Sequence, residues 1–187
     1  MTIRNDKVDI SIVGDSTYTI DSVDNKPYDF VLNPANFTRN DYTSAFSITV
    51  DNEDKQVVFI LIGSCFSTAS ALLEDDNLIV LMNNDIFVIN YLSFHVVKHK
   101  HYGDFFSLFS IEKFCDGYII HGEMDIVMLT TQFDVKWSFS GADIFATLNG
   151  NSSFDIVGDK ILLEDWLGNK YCLDKNGKEI YFKDVLK

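Results

Sequence analysis

Residues 161–182 read ILLEDWLGNKYCLDKNGKEIYF. Ile161-Leu162-Leu163-Glu164-Asp165 has the apolar, branched character of a strand, and Trp166-Leu167-Gly168-Asn169 carries the residues of a tight turn. Lys170-Tyr171-Cys172-Leu173-Asp174 returns as a second strand. Lys175-Asn176-Gly177 turns again, because Asn-Gly tolerates the positive φ that tight hairpins demand, and residues 178–182 form a third strand. The stretch spells an antiparallel meander.

The same unit recurs upstream. Asp76-Asn77-Leu78-Ile79-Val80 matches Asp116-Gly117-Tyr118-Ile119-Ile120, and Asp85-Ile86-Phe87-Val88-Ile89 matches Asp125-Ile126-Val127-Met128-Leu129, both at an offset of 40. Ile119-Ile120 meets Ile161-Leu162 at an offset of 42. Val135-Lys136-Trp137-Ser138-Phe139 then takes the place of Glu179-Ile180-Tyr181-Phe182. A spacing of roughly 40–45 residues with three or four strands per unit is the periodicity of propeller blades. The run from Asp165 through Ile180 resembles a blade of the PQQ-type β-propellers, which carry a strand, an Asp-rich turn with Gly, and a strand starting Lys-x-x-Trp. Phe133-Asp134-Val135-Lys136-Trp137 is similar, with Phe133 and Val135 in place of the usual turn glycine. The resemblance covers residues 76–187 and implies blade-like sheets. It says nothing of the quinone cofactor, and no cofactor is expected. The minimum for a closed ring of four blades is roughly 160–180 residues, and the resemblance covers only residues 76–187, which is short of that. The expected fold is therefore all-β, with antiparallel meander-rich sheets arranged as a sandwich or as an open, incomplete propeller-like assembly of ~40-residue repeats.

Residues 1–187 are expected to form a single domain in two parts, 1–64 and 76–187. In the first part, residues 8–13 and 17–20 flank Gly14-Asp15-Ser16 as a hairpin. Residues 24–43 hold both prolines, Pro27 and Pro34, show no period, and read as a long loop. Residues 46–50 and 56–62 flank Asp51-Asn52-Glu53-Asp54 as a second hairpin. Residues 67–75 are the one helix candidate, through their Ala and Leu content.

Composition narrows the function. The chain has 187 residues, 47% hydrophobic and 14% aromatic, which is ample for a packed core. Two prolines and ten glycines exclude disordered and collagen-like classes. Asp+Glu 28 against Lys+Arg 15 leaves −13, and the arginines are Arg4 and Arg39. Direct nucleic-acid binding is not expected, since phosphate neutralisation needs clustered cations. No apolar run approaches the ~20 residues of a membrane helix, and no secretory h-region follows Met1, so no membrane partner is expected. Cys65, Cys115 and Cys172 are scattered without CxxC spacing, which suits reduced thiols and a cytoplasmic location.

Four histidines lie between positions 95 and 121. A regular strand over residues 94–101 places His95, His99 and His101 on one face. A His-x-His pair can present two imidazoles to zinc, completed by His121 or Glu123, and lysines and histidines on an exposed edge that discourages pairing account for the same pattern. His121 and Glu123 share a strand face as a candidate acid–base pair, yet no nucleophile accompanies them. Asp51-Asn52-Glu53-Asp54 lacks the glycine and distal glutamate of a calcium loop. Trp137, Trp166, Phe105, Phe106, Phe109 and Phe114 serve either as core or as a stacking surface. No GxSxG, HExxH, P-loop or GxGxxG occurs. No catalytic or cofactor-binding residue is assigned. The leading expectation is a non-enzymatic acidic β-rich binding protein, an inhibitor or immunity-type protein masking a basic effector. Alternatives are a metal-dependent or small-ligand enzyme using His99, His101, His121 and Glu123, and a self-assembly module.

Overall fold

A computed structural model describes residues 1–52, 55–64, 69–105, 107–148 and 150–180. Among these residues the chain is all-β, and it divides into two compact units, Met1–Tyr102 and Gly103–Lys187. Glu53, Asp54, Cys65, Phe106, Tyr181 and Phe182 lie outside the described residues, as do positions 67 and 68 of the helix candidate.

The first unit contains two sheets. β1 (Thr2–Arg4), β2 (Asp9–Gly14), β3 (Phe30–Leu32), β4 (Thr43–Asp51) and β5 (Gln56–Ser64) make a five-stranded sheet in the order β1-β2-β4-β5-β3. β6 (Ala69–Glu74), β7 (Asn77–Met82), β8 (Asp85–Asn90) and β9 (His95–His101) make a four-stranded meander. The hairpin of β4 and β5 stands as the sequence implied, with Asp51 paired to Gln56. Ile10, Ile48, Phe59, Leu61, Leu78 and Phe87, all fully buried, belong to one core. β5, β7 and β8 are buried on both faces. That is why residues 57–62 and 78–82 are continuous apolar runs instead of alternating ones.

Three local expectations are corrected in this unit. Residues 17–20 do not form a strand, and β2 pairs with β4 instead. The cause is Asp15, whose Oδ1 accepts from the Thr17 backbone N–H at 3.0 Å and from its hydroxyl at 2.6 Å, winding the chain into a turn. The long loop over 24–43 contains β3, which runs parallel to β5. Three residues carry no readable period, and tertiary contacts hold them. Phe30 stacks on Phe59 with centroids 4.9 Å apart, and Asp29 clamps Val58 through two 2.8 Å bonds. Pro27 and Pro34 flank this sheet-edge strand, where a missing N–H costs little. Finally, residues 69–74 of the helix candidate form β6, not a helix, and pair with β7 from Ala69↔Met82 to Glu74↔Asn77. A helical propensity of a few tenths of a kcal/mol per residue yields to a complete ladder and a buried Ala71.

The second unit repeats the pattern. β10 (Leu108–Phe114), β11 (Gly117–Gly122), β12 (Asp125–Thr130) and β13 (Val135–Ser140) form a four-stranded meander. β7 and β11, and β8 and β12, begin 40 residues apart, as the sequence offset implied. β14 (Phe154–Val157), β15 (Lys160–Glu164) and β16 (Lys170–Asp174) form a three-stranded sheet. Of the expected strand over 178–182, the described part is a single bridge from Leu173 to Glu179. Ile119, Ile126, Met128, Phe145, Ile161 and Leu173 pack in the core of this unit.

Two glycines are dictated by close approach. Gly177 has φ +75°, and a Cβ there would strike the Trp137 ring, whose Nε1 donates to the Lys175 carbonyl at 3.1 Å. A Cβ on Gly117 would fall on the Leu129 carbonyl of the adjacent strand. Gly117→Ala should therefore destabilise the protein by about 1–3 kcal/mol, read as a lower denaturant midpoint. A midpoint unchanged from the parent would contradict this packing.

Candidate functional site

The buried polar residues among those described are four aspartates: Asp15, Asp85, Asp125 and Asp165. Each belongs to a different sheet and sits where the chain turns out of, or into, an inner strand. Burying a carboxylate is costly unless donors surround it, so each corner shows how that cost is met. Asp15 accepts from Thr17, Tyr28 and the Lys26 ammonium, the last at 3.0 Å. Hydrogen bonds from Thr17 and Tyr28 hold its carboxyl far below the ordinary carboxylate range despite burial. Asp125 accepts from the Ser140 hydroxyl at 2.7 Å. Asp165 accepts from the Asn169 side chain at 2.9 Å and the Tyr171 hydroxyl at 2.7 Å. Burial pushes Asp165 up, but bonds from Asn169 and Tyr171 outweigh it and leave the group below its usual value.

Asp85 is the richest corner. Its Oδ1 receives His99 Nε2 at 2.7 Å and His101 Nδ1 at 3.1 Å, and its Oδ2 receives the Ser64 hydroxyl at 2.8 Å. His99 also stacks on Phe87 with centroids 4.8 Å apart. Ser, His and Asp thus meet, but in the wrong order for nucleophile activation. Ser64 directs its one hydroxyl proton at the carboxylate at 2.8 Å, with the Met82 carbonyl as a second acceptor at 3.2 Å, so no imidazole takes it. The cluster is a hydrogen-bond hub joining β5, β8 and β9.

The expectation that His95 shares a face with His99 and His101 is corrected. β9 pairs Val88 with Lys98 but Ile89 with Val96, leaving Val97 as a bulge. Cross-strand partners share a face. His101, His99 and Val96 therefore lie with Asp85, Phe87 and Ile89, while His95 lies with Asn90 on the other side. β12 and β13 carry a matching bulge between Met128 and Leu129. A bulge of one residue reverses the parity of everything beyond it, and no composition signal marks it.

His121 belongs to the second unit, whereas His99 and His101 belong to the first. It lies one residue before the end of β11 inside an aromatic cage, stacked on Phe154 at 4.9 Å and 5°, with the Phe109 edge at 5.9 Å and the tilted Phe145 ring at 6.2 Å. Its Nε2 is buried without a hydrogen-bond partner. Burial lowers its pKa to about 4, against a smaller opposing contribution from a backbone bond at Phe145. Glu123 falls in the bend after β11, where its N–H donates to the Ser107 carbonyl and its carbonyl accepts from Phe145. No group of three His, Cys, Asp or Glu side chains suited to a metal ion occurs among the described residues. Of the aromatic candidates, Phe114 is core, Trp137 is half-buried under Gly177, and Trp166 and Phe109 are exposed.

Sequence reasoning missed one feature entirely. An open cleft of about 450 Å³ in the first unit is lined by Asp15, Tyr18, Arg39, Asp41, Thr43 and Ser44, among others. Its walls come from the turn after β2, the stretch before β4 and the first residues of β4. Arg39 and Asp41 lie in an aperiodic segment, so no pattern drew attention to them. The aspartate corners did leave a signal, the recurrence of Asp85, Asp125 and Asp165 at intervals of 40.

The His121 cage gives a pH dependence of defined sign. The imidazole is protonated in the unfolded chain below about pH 6.5, whereas in the folded chain it stays neutral to about pH 4. Folding stability is unaffected above that window and falls as pH drops through it. Between pH 7.5 and pH 5 this residue should remove roughly 2 kcal/mol of stability. Denaturant titrations at both pH values, on the parent and on His121→Leu, measure it as the difference between their two losses. Equal losses would show that the imidazole protonates freely in the fold.

No protein-family model matches the chain, and no curated protein matches it. Among solved structures, the WD40 domain of Neurospora crassa Pan2 is similar over 75% of this chain and 48% of its own, with a TM-score of 0.51 and 14% identity. Kluyvelomyces marxianus Hsv2 aligns over 73% of this chain and 46% of its own, with a TM-score of 0.45 and 7% identity. The AfRom2 CNH domain aligns over 75% and 47%, with a TM-score of 0.47 and 9% identity. The chain spans less than half the length of each of these structures. The likeness to the first shows an all-β, propeller-like fold.

Proposed function

We propose that this protein is a non-enzymatic binding module that presents a stiff β surface to a basic protein partner. An inhibitor or immunity-type protein that masks a basic effector is the concrete form of this reading. The observation that carries it is the use of the buried polar groups. Asp15, Asp85, Asp125 and Asp165 each meet donors within the protein and hold corners, so the interior chemistry serves rigidity. The acidic excess supports the choice of partner. The first unit has 14 acids against 7 bases and the second 14 against 8, so neither unit is basic. A field of this sign accelerates encounter with a cationic partner and repels nucleic acid. The propeller-like fold supports a protein-interaction role. Kinship of the blades to the PQQ type rests on the resemblance of residues 165–180 and remains part of this reading.

Cys115 and Cys172 are free thiols, which fits a reducing, cytoplasmic setting. No helix among the described residues is long and apolar enough to cross a membrane.

The test is association with the native partner, captured from the source cells and measured across salt concentrations. The association rate should fall by about tenfold or more between 50 and 500 mM salt, with a smaller change in the dissociation rate. Salt-insensitive association, or a partner that is itself acidic, would defeat this reading.

A further inference from the structure

Two pieces of chain close over His121: residues 141–145, which follow β13, and β14. The first brings Phe145 to the imidazole and the second lays Phe154 flat on it. Together they act as a strap. The Gly141 N–H donates to the Met124 carbonyl at 3.1 Å, and the Phe145 N–H to the Glu123 carbonyl at 2.7 Å. β14 is the four-residue edge strand of its sheet and pairs with β15. The imidazole is thus the joint between the strap and the β10–β13 sheet.

A second proton on this ring has one place to go. Nε2 is buried without a partner. The backbone bond at Phe145 favours the charged ring, as a carbonyl acceptor does, so it falls to Nδ1. The neutral ring therefore carries its proton on Nδ1, and an incoming proton meets Nε2 among ring carbons. A cation on the Phe154 face gains something, but less than an N–H loses when it is stripped of water and given no acceptor.

The titratable groups around the cage do not relieve this. On β10, Glu112 shares the face of His121 by register but is exposed. On β12, Asp125 pairs with Ser140 on the opposite face, and on β14 Asp155 is exposed on the side away from Phe154. On the facing sheet, Tyr171 donates its proton to Asp165 at 2.7 Å, and Glu164 of β15 is paired with Lys170 at 3.3 Å. Asp143, on the strap, accepts from the Ile144 N–H at 2.7 Å, and Glu123 lies in the bend two positions on. None of these is among the causes acting on the ring, which are burial and the Phe145 backbone.

We propose that the strap is an acid-released latch: protonation of His121 Nε2 lifts residues 141–145 and β14 away from β11, exposing Phe145 and Phe154, while the β10–β13 ladders and the first unit stay folded. The opening is local because the β11–β12 and β12–β13 ladders are backbone bonds that do not pass through the imidazole. The latch is independent of what the protein binds.

Hydrogen exchange of the full chain, read amide by amide at pH 7.5 and pH 5 and corrected for intrinsic rates, tests it. A ring that takes its proton near pH 6.5 when released and near pH 4 when held makes opening roughly thirtyfold more frequent at pH 5. Protection of the Gly141, Phe145 and Trp166 amides, whose partners are Met124, Glu123 and Ile144, should fall by about that factor. Protection of the β12 amides should change by less than about threefold. His121→Phe keeps an aromatic ring and removes the titrating nitrogen, so its strap amides should lose no more protection than β12. Phe154→Leu keeps the imidazole and removes the flat contact, so its strap should already be looser at pH 7.5, with a smaller ratio between the two pH values. The protected β12 amides report whether each variant is folded. Equal losses at the strap and at β12 would mean that acid loosens the whole unit, which overturns the latch. A loss in His121→Phe matching the parent would assign the effect to another group, and an unchanged parent would show that the ring protonates in place; either overturns it as well.

Discussion

A buried carboxylate at a strand corner is the constraint on which the rest depends. An isolated carboxylate removed from water is unfavourable by several kcal/mol, and the same group with two or three donors becomes a local organiser. Asp165 ties Asn169 and Tyr171 to one turn, and Tyr171 in turn accepts the Ala142 N–H at 3.1 Å. Asp85 ties three strands through Ser64, His99 and His101. These bonds are directional, so each corner specifies the register of the strands it joins, which hydrophobic burial does not do. The apolar side chains supply the driving force, and the aspartates select among the ways of burying them.

The same constraint shapes the chemistry. Ser64, His99 and Asp85 have the composition of a hydrolytic triad, yet the hydroxyl points its proton at the carboxylate. His121 is walled by Phe109, Phe145 and Phe154, where a neutral ring packs well and a charged one does not. Outward the protein carries an excess of carboxylates, exposed apolar side chains such as Val23 and Tyr42, and a cleft lined by Tyr18, Arg39 and Asp41 among others.

The amino-acid sequence by itself determined the β class, the meander of β15 and β16, the hairpin of β4 and β5, and the 40-residue repeat. These depend on side-chain alternation, apolar runs and turn residues, which are local and therefore written in the order of the chain. Tertiary structure alone decided the rest. β3 exists because Phe30 meets Phe59, and β6 is a strand because β7 offers it a full ladder. His95 parts from His99 and His101 because one bulged residue at Val97 reverses side-chain parity. The cleft gathers Tyr18, Arg39 and Ser44, positions with no common period. In each case the deciding energy comes from groups distant in the chain, and a contact of that kind leaves no mark in the residues on either side of it.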